Sequence, residues 1–140
     1  MTNASKAPWV VYSDGASRGN PGPAAAGALV LDPAGKVCAE ISEPLGIQTN
    51  NFAEYQGLIK GLEAAIACGA RSVEVRMDSE LLVKQATGVY RVKHPGLIPL
   101  SVRVNELRRK LDAVTFKHVR REFNKQADAL ANRALDAMKP

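Results

Sequence analysis

Apolar and polar positions change their period several times along the 140 residues, and each change marks an element. Trp9-Val10-Val11 is an apolar, β-prone run that reads as a buried strand, and the glycines and prolines between Gly15 and Pro23 turn the chain just past Asp14. Residues 24–31 are small and apolar, Asp32-Pro33-Ala34-Gly35 is a turn, and residues 36–43 alternate in part, so the first three strands read as an antiparallel meander. From Asn51 to Cys68 the period becomes helical, with Gly69 as the stop. Ser72 to Met77 is again a strand, with Val73 and Val75 on one face. Strand, long helix and strand make a right-handed crossover that sets strand four parallel to strand one. A short helix over 80–87, a loop over 89–95, a helix over 97–111, a fifth strand over 114–119 and a terminal helix over 125–138 complete an α/β pattern.

The length suits one domain, residues 1–140, with 1–8 as a flexible N-terminus. Hydrophobic residues at 46% against 24% charged imply a folded chain rather than a disordered one. No apolar run is long enough for a bilayer, and residues 1–8 lack the charged-then-apolar plan of a signal peptide, so the expected location is the cytoplasm, with no membrane partner. Cys38 and Cys68, thirty residues apart, match neither a zinc spacing nor a disulfide framework and read as reduced core thiols. The net charge of +5 is segregated: residues 1–90 carry seven Lys/Arg against nine Asp/Glu, whereas 91–125 carry ten against three. Such a basic block is either a phosphate-binding surface or a set of solvated helix faces.

The acids narrow that choice. Asp14 follows strand one and Asp78 follows strand four, so in parallel neighbours both carboxylates emerge at one sheet edge, where like charges repel unless a cation or proton lies between them. Alone, each is equally a turn-forming or helix-capping aspartate. Glu54 lies on the helix opposite Gln56, Lys60 and Glu63, on the side of Leu58, Gly61 and Ala65, and therefore points at the sheet. Its competing role is a capping box from Asn51. Asp128 falls in the first turn of the last helix if Asn124 is the N-cap, at the margin of the apolar face of Ala127, Ala131, Ala134 and Leu135. Four acids on four elements thus converge on one end of the sheet. Oxygen ligands without His or Cys suit a hard cation, Mg²⁺ or Mn²⁺, and two such ions about 4 Å apart activate a water and stabilise a leaving oxygen in phosphodiester cleavage.

These residues carry a resemblance over essentially the whole chain. Ser13-Asp14-Gly15 with Arg18-Gly19-Asn20-Pro21-Gly22-Pro23, Thr49-Asn50-Asn51-Phe52-Ala53-Glu54, Met77-Asp78-Ser79 and Asn124-x-x-Ala127-Asp128-x-Leu130-Ala131 occur in the order and spacing of ribonuclease HI, the type 1 ribonuclease H family, in a short-loop form like its archaeal and actinobacterial members. The resemblance implies a ribonuclease H-like fold: a mixed five-stranded sheet, strands one to three antiparallel and one, four and five parallel, with helices on both faces. It implies an endonuclease that cuts the RNA strand of RNA–DNA hybrids to 5′-phosphate and 3′-hydroxyl ends, as a monomer, with two Mg²⁺ ions or with Mn²⁺. Asp14, Glu54, Asp78 and Asp128 correspond to its catalytic, metal-binding acids. Asn20, Asn50 and Asn51 correspond to residues meeting the hybrid's minor groove, Gly15, Ser17 and Glu80 to residues near the RNA strand, and Thr49 to part of a DNA-phosphate pocket. For the asparagines the competing roles are helix capping and turn formation.

Three departures qualify the match. The histidine-bearing loop before the last acid is replaced by Arg120-Arg121-Glu122-Phe123-Asn124, so the resemblance passes part of the histidine's role to Arg121 or Arg120, with Asn124 as a further auxiliary. His118 alternates with Val114 and Phe116 on a strand and reads as packed or surface imidazole, a poor substitute. The basic protrusion is absent, which leaves substrate grip to Arg91, Lys93 and the helix residues Arg103, Arg108 and Arg109. Tyr90 stands where relatives often have Trp, either on the DNA backbone or on the core. Double-stranded RNA is a further candidate partner. A non-catalytic hybrid- or double-stranded-RNA-binding module and a DNA-junction or transposon-end nuclease of the same fold are the rival readings.

Overall fold

The computed structural model describes residues 7–138. The flexible N-terminus expected over 1–8 lies, for its first six residues, outside the described residues. Five strands form one sheet: β1 (Trp9–Ser17), β2 (Gly22–Leu31), β3 (Val37–Gln48), β4 (Ser72–Met77) and β5 (Ala113–His118). Their order is β3-β2-β1-β4-β5, with β1/β2 and β2/β3 antiparallel and β1/β4 and β4/β5 parallel. This is the mixed sheet expected from the sequence. The helices are α1 (Asn50–Ala67), α2 (Glu80–Ala86), α3 (Ile98–Arg109) and α4 (Lys125–Ala137), the last preceded by a single 3-10 turn at Arg121–Phe123. Among the described residues no helix is long and apolar enough to cross a membrane.

β2 shows why helices lie on both faces. Ala24, Ala25, Ala26 and Ala28 are wholly buried, and successive residues point to opposite sides. A Cβ on Gly27 would lie 2.2 Å from the Ala127 carbonyl oxygen of α4, whereas one on Gly61 of α1 would lie 2.6 Å from Val11 and 3.3 Å from Ala28. Small side chains therefore let α4 approach one face and α1 the other. The main core lies on the α1 side, with Val11, Val30, Leu58, Leu62, Val73, Val75 and Leu107. Burying each of these large aliphatic side chains contributes about 1.5–3 kcal/mol.

Three expectations need correction. β1 does not turn just past Asp14: it stays paired with β2 as far as Ser17↔Ala24, and the reversal comes only after Ser17, where Gly19 has φ +109°. β3 runs past residue 43 to Gln48 despite Pro44 and Gly46, because it is an edge strand and Leu45 is bulged between the pairs Ala25↔Pro44 and Ala24↔Gly46. Cys38 and Cys68 are free but not core thiols. Cys38 is exposed near the start of that edge strand, and Cys68, half-buried at the C-cap of α1, donates to the Cys38 carbonyl across 3.7 Å.

Candidate active site

The parallel pairing of β1 with β4 keeps a constant offset, Trp9↔Val73 to Tyr12↔Arg76, and then stops. Extended by two residues, the same offset sets Asp14 level with Asp78. Just past the last of these pairs the Ser13 carbonyl accepts from Asn124 Nδ2 at 2.9 Å, and Asn124, at the start of the last helix, is 1% exposed. Asn124 occupies the N-cap position of α4, as expected, but its side chain ties that helix to β1 instead of capping it. One turn on, the Asp128 amide donates to the Asn124 carbonyl at 3.1 Å, which brings Asp128 alongside Asp14.

Glu54 arrives from the other face. α1 is capped by Thr49, whose hydroxyl accepts from the Phe52 amide at 3.2 Å, so the capping box from Asn51 is not the one used and Glu54 is free to face the sheet. Gly57 allows this depth, since a Cβ there would lie 2.3 Å from the Asp14 carbonyl oxygen. Carboxylate oxygens of Asp14, Glu54 and Asp78 lie within 4.8 Å of one another. All four acids line one cleft of about 490 Å³.

Packed so closely, Asp14, Glu54 and Asp78 hold their protons more tightly than free carboxyls do. Burial first, then the neighbouring Asp78 and Asp128, push the Asp14 carboxyl from the usual 3.8 to about 8, and the protonated group donates to Asp128. Glu54 rises to about 7, again by burial first and then Asp78, partly offset by Arg121 and the Ser79 hydroxyl. Asp78 is raised by burial, opposed by Arg121, whose Nε lies 3.9 Å from its Oδ2. Replacing protons by a cation relieves the same repulsion, and an all-oxygen donor set fits a hard divalent ion. Asp14, Glu54 and Asp78 are the residues placed to hold one, with Asp128 alongside.

A pH dependence follows. Asp14 ionises near 3.8 in an unfolded chain and near 8 when folded, so folding favours its proton. That stability is complete below about pH 4 and is lost as the pH rises through 8. Glu54 acts in the same sense up to about pH 7. In chelator, the melting temperature of the wild type relative to Asp14→Asn is expected to fall between pH 4 and 8, and added divalent cation to restore it. A difference independent of pH would contradict the cluster.

The other expected site residues divide by where the fold places them. Gly15, Ser17, Asn20, Asn50, Asn51 and Arg121 line the acidic cleft. Of these, Asn20 also has a structural task, its Oδ1 accepting from the Asn50 amide at 3.1 Å, and the Ser17 hydroxyl donates to the carbonyls of Gly19 and of Gln48, the latter at 3.0 Å. Thr49, besides capping α1, lines an adjoining hollow of about 190 Å³ with Asn20, Asn51, His94 and Leu97. Glu80, Tyr90, Arg91 and Lys93 are exposed and are not on the cleft wall; Glu80 pairs with Lys84 at 3.4 Å, and the Lys84 ammonium lies 5.1 Å from the Tyr90 ring centroid. Arg120 is not on the cleft wall; it lines a separate hollow on the sheet face with Tyr12, Arg76, Lys117 and Phe123. Two of the helix cations are already engaged, Arg103 with Glu63 at 2.9 Å and Arg108 with the Ala86 carbonyl at 2.8 Å.

Two cleft residues had no site role assigned from the sequence, Arg18, quoted only as part of a motif, and Asn132. Asn132 Nδ2 donates to the Asp128 carbonyl at 3.0 Å and to its carboxylate at 3.3 Å, and Arg18 pairs with Asp136 at 2.6 Å. The signal for Asn132 was its place one helical turn after Asp128.

The chain is similar to known proteins over most of its length. The model of a family described as reverse transcriptase-like matches residues 12–134. Ribonuclease HI of Halobacterium salinarum is 48% identical over 89% of this chain and 63% of its own length, and a ribonuclease H of Phenylobacterium zucineum is 31% identical over 90% and 89%. A solved structure of LC11-RNase H1, itself in complex with an RNA/DNA hybrid, superposes with a TM-score of 0.87 at 41% identity, covering 92% of this chain and 97% of that one. The chain spans about a third of the length of its mycobacterial relatives, 35%, and less than two thirds of the Halobacterium one. With the fold, the four acids and these likenesses in agreement, the chain belongs to the ribonuclease H family.

Proposed function

We propose that the chain is an endoribonuclease that hydrolyses the RNA strand of RNA–DNA hybrids to 5′-phosphate and 3′-hydroxyl ends, using two Mg²⁺ ions, with Mn²⁺ able to replace them. The observation that carries this reading is the acid cluster: three carboxylates within 4.8 Å, a fourth beside them, in a cleft also lined by the amides of Asn20, Asn50, Asn51 and Asn132, the Ser17 hydroxyl and the guanidiniums of Arg18 and Arg121. The relative solved with a hybrid bound supports the substrate class.

Asp14, Asp78, Glu54 and Asp128 would hold the ions, which when bound lower the pKa of an attacking water and stabilise the leaving 3′ oxygen. The chain's own residues set where that happens. Asp14, nearly buried and clamped between β2 and α1, fixes the centre. Asp78 and Asp128 reach it from the ends of neighbouring elements, Asp128 on the helix that the Asn124–Ser13 contact ties to β1. Arg121, exposed at the lip, meets a phosphate oxygen and offsets its charge. Asn50 and Asn51 supply amide donors and acceptors beside the acids, the pairing that a 2′-hydroxyl satisfies and a deoxyribose does not.

The test varies the substrate. Hybrids in which a run of ribonucleotides is replaced stepwise by deoxyribonucleotides are expected to lose cleavage when the run is gone, with cuts confined to the RNA. Equal cutting of an all-DNA duplex would move the reading to a DNA nuclease of the same fold, and cutting of double-stranded RNA would widen the substrate class.

A further inference from the structure

Part of the other face of the sheet is left uncovered. Tyr12, Arg76 and Lys117 form one register row across β1, β4 and β5, Tyr12↔Arg76↔Lys117. They alternate with Val11, Val75 and Phe116, which belong to the α1-side core, so the row points to the opposite side. On that side α4 packs against β1, β2 and β3. The half of the face over β4 and β5 is left as an open hollow of about 430 Å³, closed on one rim by Arg120 and Phe123.

The groups in this hollow have one chemistry in common. The Arg76 guanidinium lies 5.3 Å from the Tyr12 ring centroid and donates to its hydroxyl at 2.6 Å, and Glu74 holds the same guanidinium at 2.6 Å, so the ring and the guanidinium are held together as one platform on this face. Phe123 stands beside it with 67% of its surface exposed. Lys117 and Arg120 have no acidic partner among the described residues and supply free positive charge. Flat aromatic and guanidinium surfaces interleaved with unpaired cations suit unstacked bases and their phosphates. The hollow also adjoins the acids. His118, on its rim, is the register partner of Met77, the residue before Asp78, and Arg120 precedes the Arg121 that lines the cleft.

We propose that the open β4–β5 face binds single-stranded RNA, namely the unpaired tail of the strand being cut as it continues past Arg121 out of the cleft. This assignment of the tail rests on the hybrid-cleaving function proposed above; the affinity of the surface for single-stranded RNA does not. The platform fixes bases by stacking on Phe123 and the Tyr12–Arg76 pair, and Lys117 and Arg120 hold the phosphates between them.

The experiment is equilibrium binding in chelator, where RNA stays intact, comparing wild type with Phe123→Ala and Lys117→Glu. Probes are a blunt hybrid, the same hybrid with a 3′ or a 5′ RNA tail, the same with a DNA-strand tail, and a free 12-nucleotide RNA. An RNA tail of one polarity is expected to tighten hybrid binding about tenfold. Both variants lose that gain and bind the free RNA about tenfold less tightly, while the blunt hybrid is unaffected. Melting curves confirm that both variants fold. An unchanged affinity of both folded variants for free RNA overturns the surface, as does equal competition by polyglutamate, which would reduce it to a generic polyanion site. A gain from the DNA-strand tail equal to that from RNA overturns the assignment to the cut strand. Should no hybrid bind while free RNA still distinguishes the variants, the function proposed above fails and the surface stands.

Discussion

Asp14→Asn is expected to lower hybrid cleavage by about 10³-fold or more while raising the melting temperature of the metal-free protein. The two effects have one origin. Asp14 is 8% exposed, and its carboxyl is driven to about 8 by burial and by Asp78 and Asp128. An amide of the same shape carries no charge to repel them, so at pH 8 the metal-free fold gains on the order of 2 kcal/mol, about 5 °C. The same substitution removes the carboxylate oxygen around which the cluster is arranged. Single-turnover cleavage and melting curves in chelator check both halves. Lost activity with a lowered melting temperature would mean that Asp14 supports the fold and not a charged site.

Gly15→Ala is expected to lower stability by about 3 kcal/mol or more, roughly 10 °C, and to cost activity beyond that loss. A Cβ at Gly15 would lie 2.1 Å from the Ala53 carbonyl carbon and 2.2 Å from the Glu54 nitrogen. These are backbone atoms of α1, which cannot swing aside as a side chain can, so the helix must shift and carry Glu54 away from Asp14. Gly35→Ala is the control. Nothing lies within 4 Å of its Cβ position, but φ is +85°, so its cost, about 1 kcal/mol, is conformational and activity is untouched. Denaturant unfolding of both variants, with cleavage measured well below the midpoint, separates the two causes. Equal losses in the two would contradict the close approach of β1 and α1.

Much of this site was legible before any coordinates. Helical period alone aimed Glu54 at the sheet, and a parallel crossover alone set Asp14 level with Asp78. What escaped had identifiable causes. Glycines and prolines after Asp14 mark the hairpin beyond Ser17, not the end of the strand, because β2 goes on pairing with β1 after β4 has parted from it. Pro44 reads as a strand stop unless β3 is known to be an edge. Asn51 drew attention as a cap because it begins a capping-box spacing and its residue type ranks above Thr as a cap, whereas the helix starts two positions earlier, at Thr49. Asn124 looked like an ordinary cap, and only the tertiary fold shows its amide bound to the Ser13 carbonyl of β1 beside the acids. Arg103 and Arg108 counted toward a basic surface in the sequence, but charge totals do not reveal partners on other elements.

The central claim is that these four acids make a divalent-metal site for cutting RNA paired to DNA. One assay addresses it directly: an RNA–DNA hybrid labelled at the RNA end, beside matched RNA–RNA and DNA–DNA duplexes, each incubated with Mg²⁺, with Mn²⁺ and with chelator. Metal-dependent cutting of the hybrid's RNA strand, absent in chelator and absent from the DNA duplex, is the expected result. A hybrid that is bound yet left intact in both metals would contradict it, and would leave the cluster as the scaffold of a binding module.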